Sequence, residues 1–138
     1  MKIVVVGLGY VGLPNAVLLA QHNEVICVDT SKERVDKLNA RQSPIIDVEL
    51  SKYLVEKKLN LSASCDLKAS LSGARYVIVS TPTNYDEKTN FFDTSSVEEV
   101  IAKVIESEPN ACIVVKSTVP VGFIDNISER LETDAVIF

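Results

Sequence analysis

At 138 residues, 46% of them apolar, the chain is long enough for one domain with its own core, which excludes an intrinsically disordered protein. Its formal net charge of −5 is spread along the sequence and its lysines form no stripe that could follow a phosphate backbone, so we expect no nucleic-acid partner. No apolar run approaches the roughly 20 residues needed to cross a bilayer and no leader-peptide pattern follows Met1, so we expect a cytoplasmic protein with no membrane partner.

Short β-branched runs alternate with longer segments of helical periodicity along the chain. Strands are predicted at 2–6, 24–29, 59–63, 76–80, 112–116 and 135–138, the third being the weakest. Helices are predicted at 11–21, 32–40, 48–58, 96–107 and 121–131, with a short additional helix between Asp66 and Gly73. This alternation predicts an α/β fold, a doubly wound parallel sheet with helices on both faces.

The first predicted strand runs directly into GLGYVG, residues 7–12. A match to GxGxxG carries little weight alone, but here Gly7, Gly9 and Gly12 follow a buried strand and open a helix. In a dinucleotide-binding fold such glycines allow a tight turn, let a pyrophosphate reach the backbone and let the helix pack against the strand. The free amides at the helix N-terminus then hold the anion. The alternative is a tight strand-to-helix turn in a fold without a ligand.

An acidic residue, Asp29, ends the second predicted strand, seventeen positions after Gly12. In this position a carboxylate accepts hydrogen bonds from the adenosine ribose hydroxyls and repels a 2′-phosphate, which favours NAD over NADP. The nearby Lys32 and Arg34 could neutralise such a phosphate, or they could simply be solvated. The sequence therefore predicts a Rossmann-like domain that binds NAD.

Two predicted helices begin with a capping box, in which a hydroxyl binds an amide and a glutamate three residues later reaches back. The pairs are Thr30 with Glu33 and Ser95 with Glu98. Before the second of these helices, we expect the acidic stretch 86–88 to be a solvated loop.

Hydroxyl side chains follow the later strands, where ligands of an open parallel sheet gather. Thr81, Pro82 and Thr83 follow one strand, and Ser117 and Thr118 follow the next. We expect these residues to line the same cleft as the glycine motif. The alternatives are ordinary loop composition for the first group and capping of the following helix for the second.

The remaining candidates for chemistry are weaker. Cys27 and Cys112 lie within apolar strands and are expected to be core residues, and no CxxC spacing is present. His22 is the only histidine, so neither a metal site nor a catalytic triad is expected. Lys116 is either an active-site cation or the polar end of a strand.

Four motifs occur together in a recognisable order: GLGYVGLP at the start, STPTNYD at 80–86, FDTSSVE at 92–98 and KSTVPVG at 116–122. They resemble the N-terminal domain of the UDP-glucose 6-dehydrogenase family, and the resemblance covers essentially the whole chain. The compact stretch from STPTNYD to FDTSSVE is more similar to the UDP-glucose branch than to the branch that oxidises UDP-N-acetylhexosamines.

The resemblance implies an enzyme that oxidises the C6 alcohol of UDP-glucose to a carboxylate by two hydride transfers to NAD, passing through a cysteine thioester. It implies that Val11 contacts the pyrophosphate, Asp29 and Arg34 the adenosine ribose, and Thr83 and Thr118 the opposite side of the cofactor. Arg34 stands where the family often has lysine. Thr118 would also position a water, because an uncharged hydroxyl is better suited to orientation than to proton abstraction.

Motif and resemblance together give one set of predicted cofactor-binding residues. They are Gly7, Gly9, Tyr10, Val11, Gly12, Asp29, Arg34, Thr81, Pro82, Thr83 and Thr118.

In the family the chain continues well beyond the position of Phe138, and the nucleophilic cysteine lies in that later part. We therefore expect residues 1–138 to be the NAD-binding domain of a longer enzyme, without its central and UDP-sugar-binding domains, and expect the full-length enzyme to be a homodimer. Two alternatives remain open. One is a dehydrogenase of a UDP-N-acetylated amino sugar, and the other is a stand-alone module that senses NAD or NADH and regulates a partner without catalysis.

Overall fold

The computed structural model describes residues 1–138. The strands are β1 (Lys2–Val6), β2 (Glu24–Val28), β3 (Leu61–Ser64), β4 (Tyr76–Val79), β5 (Asn84–Asp86), β6 (Phe91–Asp93), β7 (Cys112–Val115) and β8 (Val136–Ile137). The helices are α1 (Gly12–Ala20), α2 (Lys32–Asn39), α3 (Val48–Glu56), α4 (Leu67–Leu71), α5 (Ser95–Ser107) and α6 (Phe123–Arg130). None of these helices has the length and apolar character needed to cross a membrane.

Six strands form one parallel sheet in the order β3-β2-β1-β4-β7-β8. The order starts at β1 and runs outward in both directions, first through β2 and β3 and then through β4, β7 and β8. A reversal of this kind opens a crevice at the carboxyl ends of the two central strands, which is where ligands of open α/β sheets bind. The predicted doubly wound architecture is confirmed.

The sheet separates two hydrophobic clusters. In β1, Val4 and Val6 belong to the cluster that packs under α4, α5 and α6, whereas Ile3 and Val5 belong to the cluster under α1, α2 and α3. This alternation follows from the strand geometry, because successive side chains point to opposite faces. With both faces covered by helices, residues 3–6 of β1 are all apolar and buried, as expected for a central parallel strand.

Three predicted strands end one residue earlier in the structure than in the sequence analysis. Asp29, Ser80 and Lys116 were expected to be the last residues of their strands, and each lies just beyond its strand. All three are therefore at the mouth of the crevice and not inside the sheet.

Both predicted capping boxes were wrong by one residue. Helix α2 is capped by Ser31, whose Oγ accepts a hydrogen bond from the Arg34 amide at 3.4 Å. Helix α5 begins at Ser95 after the N-cap residue Thr94, which makes no side-chain cap. In the first case a local hydrogen bond explains the shift, because the Asp29 carboxylate binds the amide of Ser31, two residues later, and carries the turn one residue further.

The stretch expected to be a solvated loop is part of a small antiparallel hairpin, β5 with β6. Its strands are mostly exposed, and the rings of Tyr85 and Phe92 contact each other with centroids 4.8 Å apart. Asn90 adopts a left-handed backbone conformation in the turn, with φ of 51°. The hairpin gave no sequence signal, because strands with no buried face need no alternation of apolar and polar residues.

Candidate functional site

A crevice of about 390 Å³ lies at the carboxyl ends of the central strands. It is lined by Gly7, Leu8, Gly9, Tyr10, Val11, Asp29, Arg34, Ser80, Thr81, Pro82, Thr83, Lys116, Ser117 and Thr118. Every predicted cofactor-binding residue except Gly12 lines this crevice. Three of the four motifs thus contribute residues to the crevice, and the fourth, at 92–98, contacts its lining through Ser96, whose Oγ lies 3.2 Å from Thr81 Oγ1.

Two of the motif glycines are required by the fold itself. Gly7 has φ of 101°, and a Cβ added to it would lie 2.5 Å from the Ser80 carbonyl oxygen at the end of β4. A Cβ on Gly12 would overlap the Gly7 carbonyl oxygen. Only glycine permits the left-handed turn at Gly7 and the close approach of α1 to β1 at Gly12.

The remaining motif glycine, Gly9, is not required by the packing of the protein. A Cβ added to Gly9 would meet nothing within 4 Å, and the residue does not have a positive φ. Its missing side chain leaves open space on the wall of the crevice. A group from outside the protein that comes within contact distance of the backbone would explain this glycine, and the alternative of a ligand-free turn would not.

The backbone above this space presents free hydrogen-bond donors. The amides of Gly9, Tyr10 and Val11 donate to no group of the protein. Helix α1 has no side-chain cap and no acidic residue in its first turn. Unpaired amides at a helix N-terminus with no competing carboxylate form a site for an anion such as a phosphate.

The Asp29 carboxylate lies at the end of this loop and is only 10% exposed. Its Oδ2 accepts a hydrogen bond from the Leu8 amide at 2.9 Å, and its Oδ1 accepts one from the Ser31 amide at 2.8 Å. Each carboxylate oxygen has two lone pairs, so one on each remains for a ligand hydroxyl. Asp29 therefore both fixes the glycine loop and offers acceptors to the crevice.

The two basic residues considered with Asp29 have different partners. Nη1 of Arg34 lies 3.7 Å from Oδ2 of Asp29, and Arg34 lines the crevice. The Lys32 ammonium instead binds the carboxylate of Asp36 on the next turn of α2. Only Arg34 is therefore in place to contact a ligand held by Asp29.

The Ser80 hydroxyl is an unsatisfied group on the floor of the crevice. Its Oγ is buried and has no hydrogen-bond partner in the protein, and its Cβ is among the closest atoms to the space that a Gly12 side chain would need. A buried hydroxyl without a partner is uncommon in native proteins, and because this oxygen is closed off from the surface it is not among the groups that the crevice presents to a ligand. The sequence analysis did not include Ser80, because its position under the glycine loop depends on the pairing of β4 with β1.

The turn 81–83 is held from two sides by serine hydroxyls. Ser117 Oγ donates to the Thr81 carbonyl at 2.7 Å, and Ser96 Oγ, on α5, lies 2.9 Å from the Pro82 carbonyl. Ser96 was missed in the sequence analysis, where it was only the start of a helix. The expected alternative of helix capping for Ser117 is wrong, because α6 begins at Phe123 after an N-cap residue with no side-chain bond.

The three remaining candidates of the sequence analysis, Cys27, Lys116 and His22, lie in different surroundings. Burial, and secondarily the charge of Asp29, raise the pKa of the Cys27 thiol to about 12, so Cys27 is a neutral core residue as expected. The Lys116 ammonium lies 5.6 Å from the centre of the Phe138 ring at the edge of the crevice. His22 lies at the opposite end of the sheet, in a wider depression of about 770 Å³ that contains none of the motif residues.

Gly9 and Gly12 should respond differently to the same substitution. Gly12→Ala forces the backbone apart at the Gly7 carbonyl and should destabilise the fold by about 2 kcal/mol or more. Gly9→Ala adds a methyl group to open space and should change stability by less than about 0.5 kcal/mol. Urea denaturation of both variants measures the difference, and equal destabilisation would contradict the assignment of separate roles.

The sequence matches the model of the UDP-glucose/GDP-mannose dehydrogenase family, NAD binding domain, over residues 1–136. It is 50% identical to a UDP-glucose 6-dehydrogenase of Streptococcus pneumoniae over 138 residues, which are all of this chain and 35% of that protein. A UDP-glucose 6-dehydrogenase of Campylobacter jejuni is 36% identical over 140 residues, covering all of this chain and 36% of the relative. The chain thus spans about a third of the length of these relatives.

Solved structures agree with the sequence comparison. A UDP-D-ManNAc dehydrogenase from Pyrococcus horikoshii superimposes with a TM-score of 0.83 at 29% identity, over 96% of this chain and 32% of that one. A GDP-mannose dehydrogenase from Pseudomonas aeruginosa gives the same TM-score of 0.83 at 26% identity, over 99% of this chain and 35% of that one. Because the family match extends over nearly the entire sequence, this protein belongs to the UDP-glucose/GDP-mannose dehydrogenase family, of which it forms the NAD-binding domain.

Proposed function

We propose that NAD binds in the crevice at the carboxyl ends of β1, β2, β4 and β7, with its pyrophosphate against the glycine loop. The observation that carries this proposal concerns Gly9. Its missing side chain serves no packing purpose, and its absence leaves the unpaired backbone amides of residues 9–11 open to the crevice. The pyrophosphate accepts from these amides and from the positive end of the α1 dipole. Gly7, Tyr10, Val11 and Gly12 complete this part of the site.

In this arrangement the adenosine ribose lies at Asp29. The free lone pairs of the carboxylate accept from the two ribose hydroxyls, and the Arg34 guanidinium, 3.7 Å from the carboxylate, contacts the same sugar. A 2′-phosphate would meet the negative charge of Asp29, which has little exposure to screening solvent. Arg34 is already paired with that charge, so NAD is bound in preference to NADP.

The other half of the cofactor reaches Thr81, Pro82, Thr83 and Thr118 across the crevice. When bound, NAD supplies the hydride acceptor of the reaction. The Thr118 hydroxyl is exposed and has no partner within the protein, so it is free to bind and orient a water beside the cofactor. This orientation role suits a neutral hydroxyl better than proton abstraction does.

We further propose that residues 1–138 act as the cofactor domain of an enzyme that oxidises UDP-glucose to UDP-glucuronate by two successive hydride transfers. The similarity to two UDP-glucose 6-dehydrogenases supports this substrate. The nucleophilic cysteine and most of the UDP-sugar site belong to the other two thirds of such an enzyme, and we propose a cytoplasmic homodimer as its assembled form. A UDP-N-acetyl-D-mannosamine dehydrogenase that is 32% identical supports an N-acetylated amino sugar as the second candidate substrate.

Gly9→Ala tests the position of the pyrophosphate. Because the added methyl group enters the space where the phosphates contact the backbone, NAD affinity should fall about tenfold or more, equivalent to about 1.4 kcal/mol. Isothermal titration calorimetry with the wild type and the variant measures the change. Unaltered NAD affinity in a folded Gly9→Ala protein would place the pyrophosphate elsewhere.

Asp29→Ala should weaken NAD binding by about 1–2 kcal/mol, since it removes charge-assisted hydrogen bonds to the ribose. It also frees the Leu8 amide, so thermal stability should fall as well. Asp36→Ala, which breaks only an exposed ion pair on the same segment of chain, is the matched control and should leave NAD affinity unchanged. Equal affinities in all three proteins would show that the ribose does not lie at Asp29.

The 138-residue protein should bind NAD and yet form no NADH from UDP-glucose, because the residues that hold and activate the sugar lie outside it. Absorbance at the NADH band during incubation with NAD and UDP-glucose checks this expectation. The same assay on a protein extended to the length of the relatives, with UDP-glucose and UDP-N-acetylmannosamine in parallel, separates the two candidate substrates. NADH formation by the 138-residue protein alone would refute the proposal that the residues that hold and activate the sugar lie outside it.

A further inference from the structure

Two basic side chains line the crevice, and only one of them is paired with an acid. They are Arg34 and Lys116. Nη1 of Arg34 lies 3.7 Å from Oδ2 of Asp29, so the charges of these two side chains offset each other. None of the ion pairs in the chain includes Lys116. The crevice therefore has one positive charge that no carboxylate within 4 Å compensates.

The Lys116 ammonium is held at the edge of the crevice by an aromatic ring. Its Nζ lies 5.6 Å from the centre of the Phe138 ring. Strands β7 and β8 pair in parallel, and the two residues lie just beyond the paired positions. The face of an aromatic ring attracts a cation through its quadrupole, but the ring has no net charge. Phe138 thus helps to position the ammonium and leaves its charge uncompensated.

The sheet places these two basic residues at opposite ends of the crevice. Arg34 and Asp29 lie on the side of β2, whereas Lys116 follows β7, and strands β1 and β4 lie between them. Neighbouring strands are about 4.8 Å apart, so the ends of β2 and β7 are about 14 Å apart. With the adenosine ribose at Asp29 and the pyrophosphate at the loop after β1, the nicotinamide half of a dinucleotide extends toward β4 and β7. Lys116 is then the charged side chain on the nicotinamide side.

The oxidised and reduced forms of the cofactor differ in charge at this half of the molecule. The nicotinamide ring carries one positive charge in NAD and none in NADH, whereas the adenosine, the pyrophosphate and the second ribose are the same in both. A nearby ammonium therefore repels the ring of NAD and not that of NADH. Its attraction to the pyrophosphate acts on both forms alike, so this attraction cancels in the ratio of the two affinities.

We infer that Lys116 is the residue of this crevice that shifts its preference from NAD toward NADH. The inference rests on the proposed binding of NAD in the crevice. Two unit charges a few ångströms apart in a partly solvated site repel each other enough to change a binding constant about threefold to tenfold. Lys116 would thus weaken the cofactor form that enters the reaction relative to the form that leaves it.

Removal and retention of the charge test the inference. Lys116→Gln should raise the affinity for NAD relative to that for NADH about threefold to tenfold, and Lys116→Arg, which keeps the charge, should keep the wild-type ratio. Calorimetry with both ligands measures the ratio at about 0.01 M salt, where the screening length is about 30 Å. At about 1 M salt, where it is about 3 Å, the difference between wild type and Lys116→Gln should shrink. A merely structural contact would change both affinities together at either salt concentration.

Lys58→Gln is the matched control, because it removes the same charge at the other end of the sheet. Lys58 lines the wide depression that contains His22, and it too has no carboxylate within 4 Å. This variant should keep the wild-type ratio. An unchanged ratio in Lys116→Gln, or an equal change in Lys58→Gln, would overturn the inference. A wild-type protein that binds neither NAD nor NADH would refute the proposed cofactor site itself, which is a different result from an unchanged ratio.

Discussion

The contact between Gly12 and the Gly7 carbonyl oxygen is the constraint on which the rest of the structure depends. It leaves no room for a side chain at Gly12 and draws the N-terminus of α1 against the end of β1. The helix then points its free amides along the crevice and not away from it. A wider separation would still allow the sheet to form, but the amides and the dipole of α1 would no longer converge on one point.

The Asp29 carboxylate extends this constraint to the neighbouring strand. It joins the glycine loop to the start of α2 through the amides of Leu8 and Ser31, at the cost of burying most of a negative charge. Two amide donors and the nearby Arg34 offset that cost. The carboxylate that we propose to select the cofactor is therefore also a part of the scaffold, so we expect its removal to affect both stability and binding.

The far side of the crevice is organised by neutral hydrogen bonds. Residues that follow β4 and β7, together with Ser96 of α5, bond to one another there and fix the turn 81–83. In the proposed complex the pyrophosphate would be held by backbone groups, whose positions are the least affected by side-chain motion.

Much of the fold and most of the residues that line the crevice could be predicted from the sequence alone. The alternation of apolar strands with periodic helices, the glycines 7, 9 and 12, and Asp29 at a strand end are local signals, because each is formed by residues adjacent in the chain. The capping residues and the exposed hairpin were missed, since the Asp29 carboxylate binds the amide of Ser31 two residues later and so moves one cap, and no burial pattern marked the hairpin.

Only the tertiary structure decided which glycine has no role in packing, which hydroxyls bond to backbone carbonyl groups and which lysine is paired with a neighbouring carboxylate. Ser96 and Thr81 are 15 positions apart and Ser117 and Thr81 are 36 apart, so their bonds exist only once α5 and β7 have packed beside β4. A hydroxyl group looks the same in the sequence whether it donates to a carbonyl or to a ligand. Its partner is set by three-dimensional distance, which the order of residues does not contain.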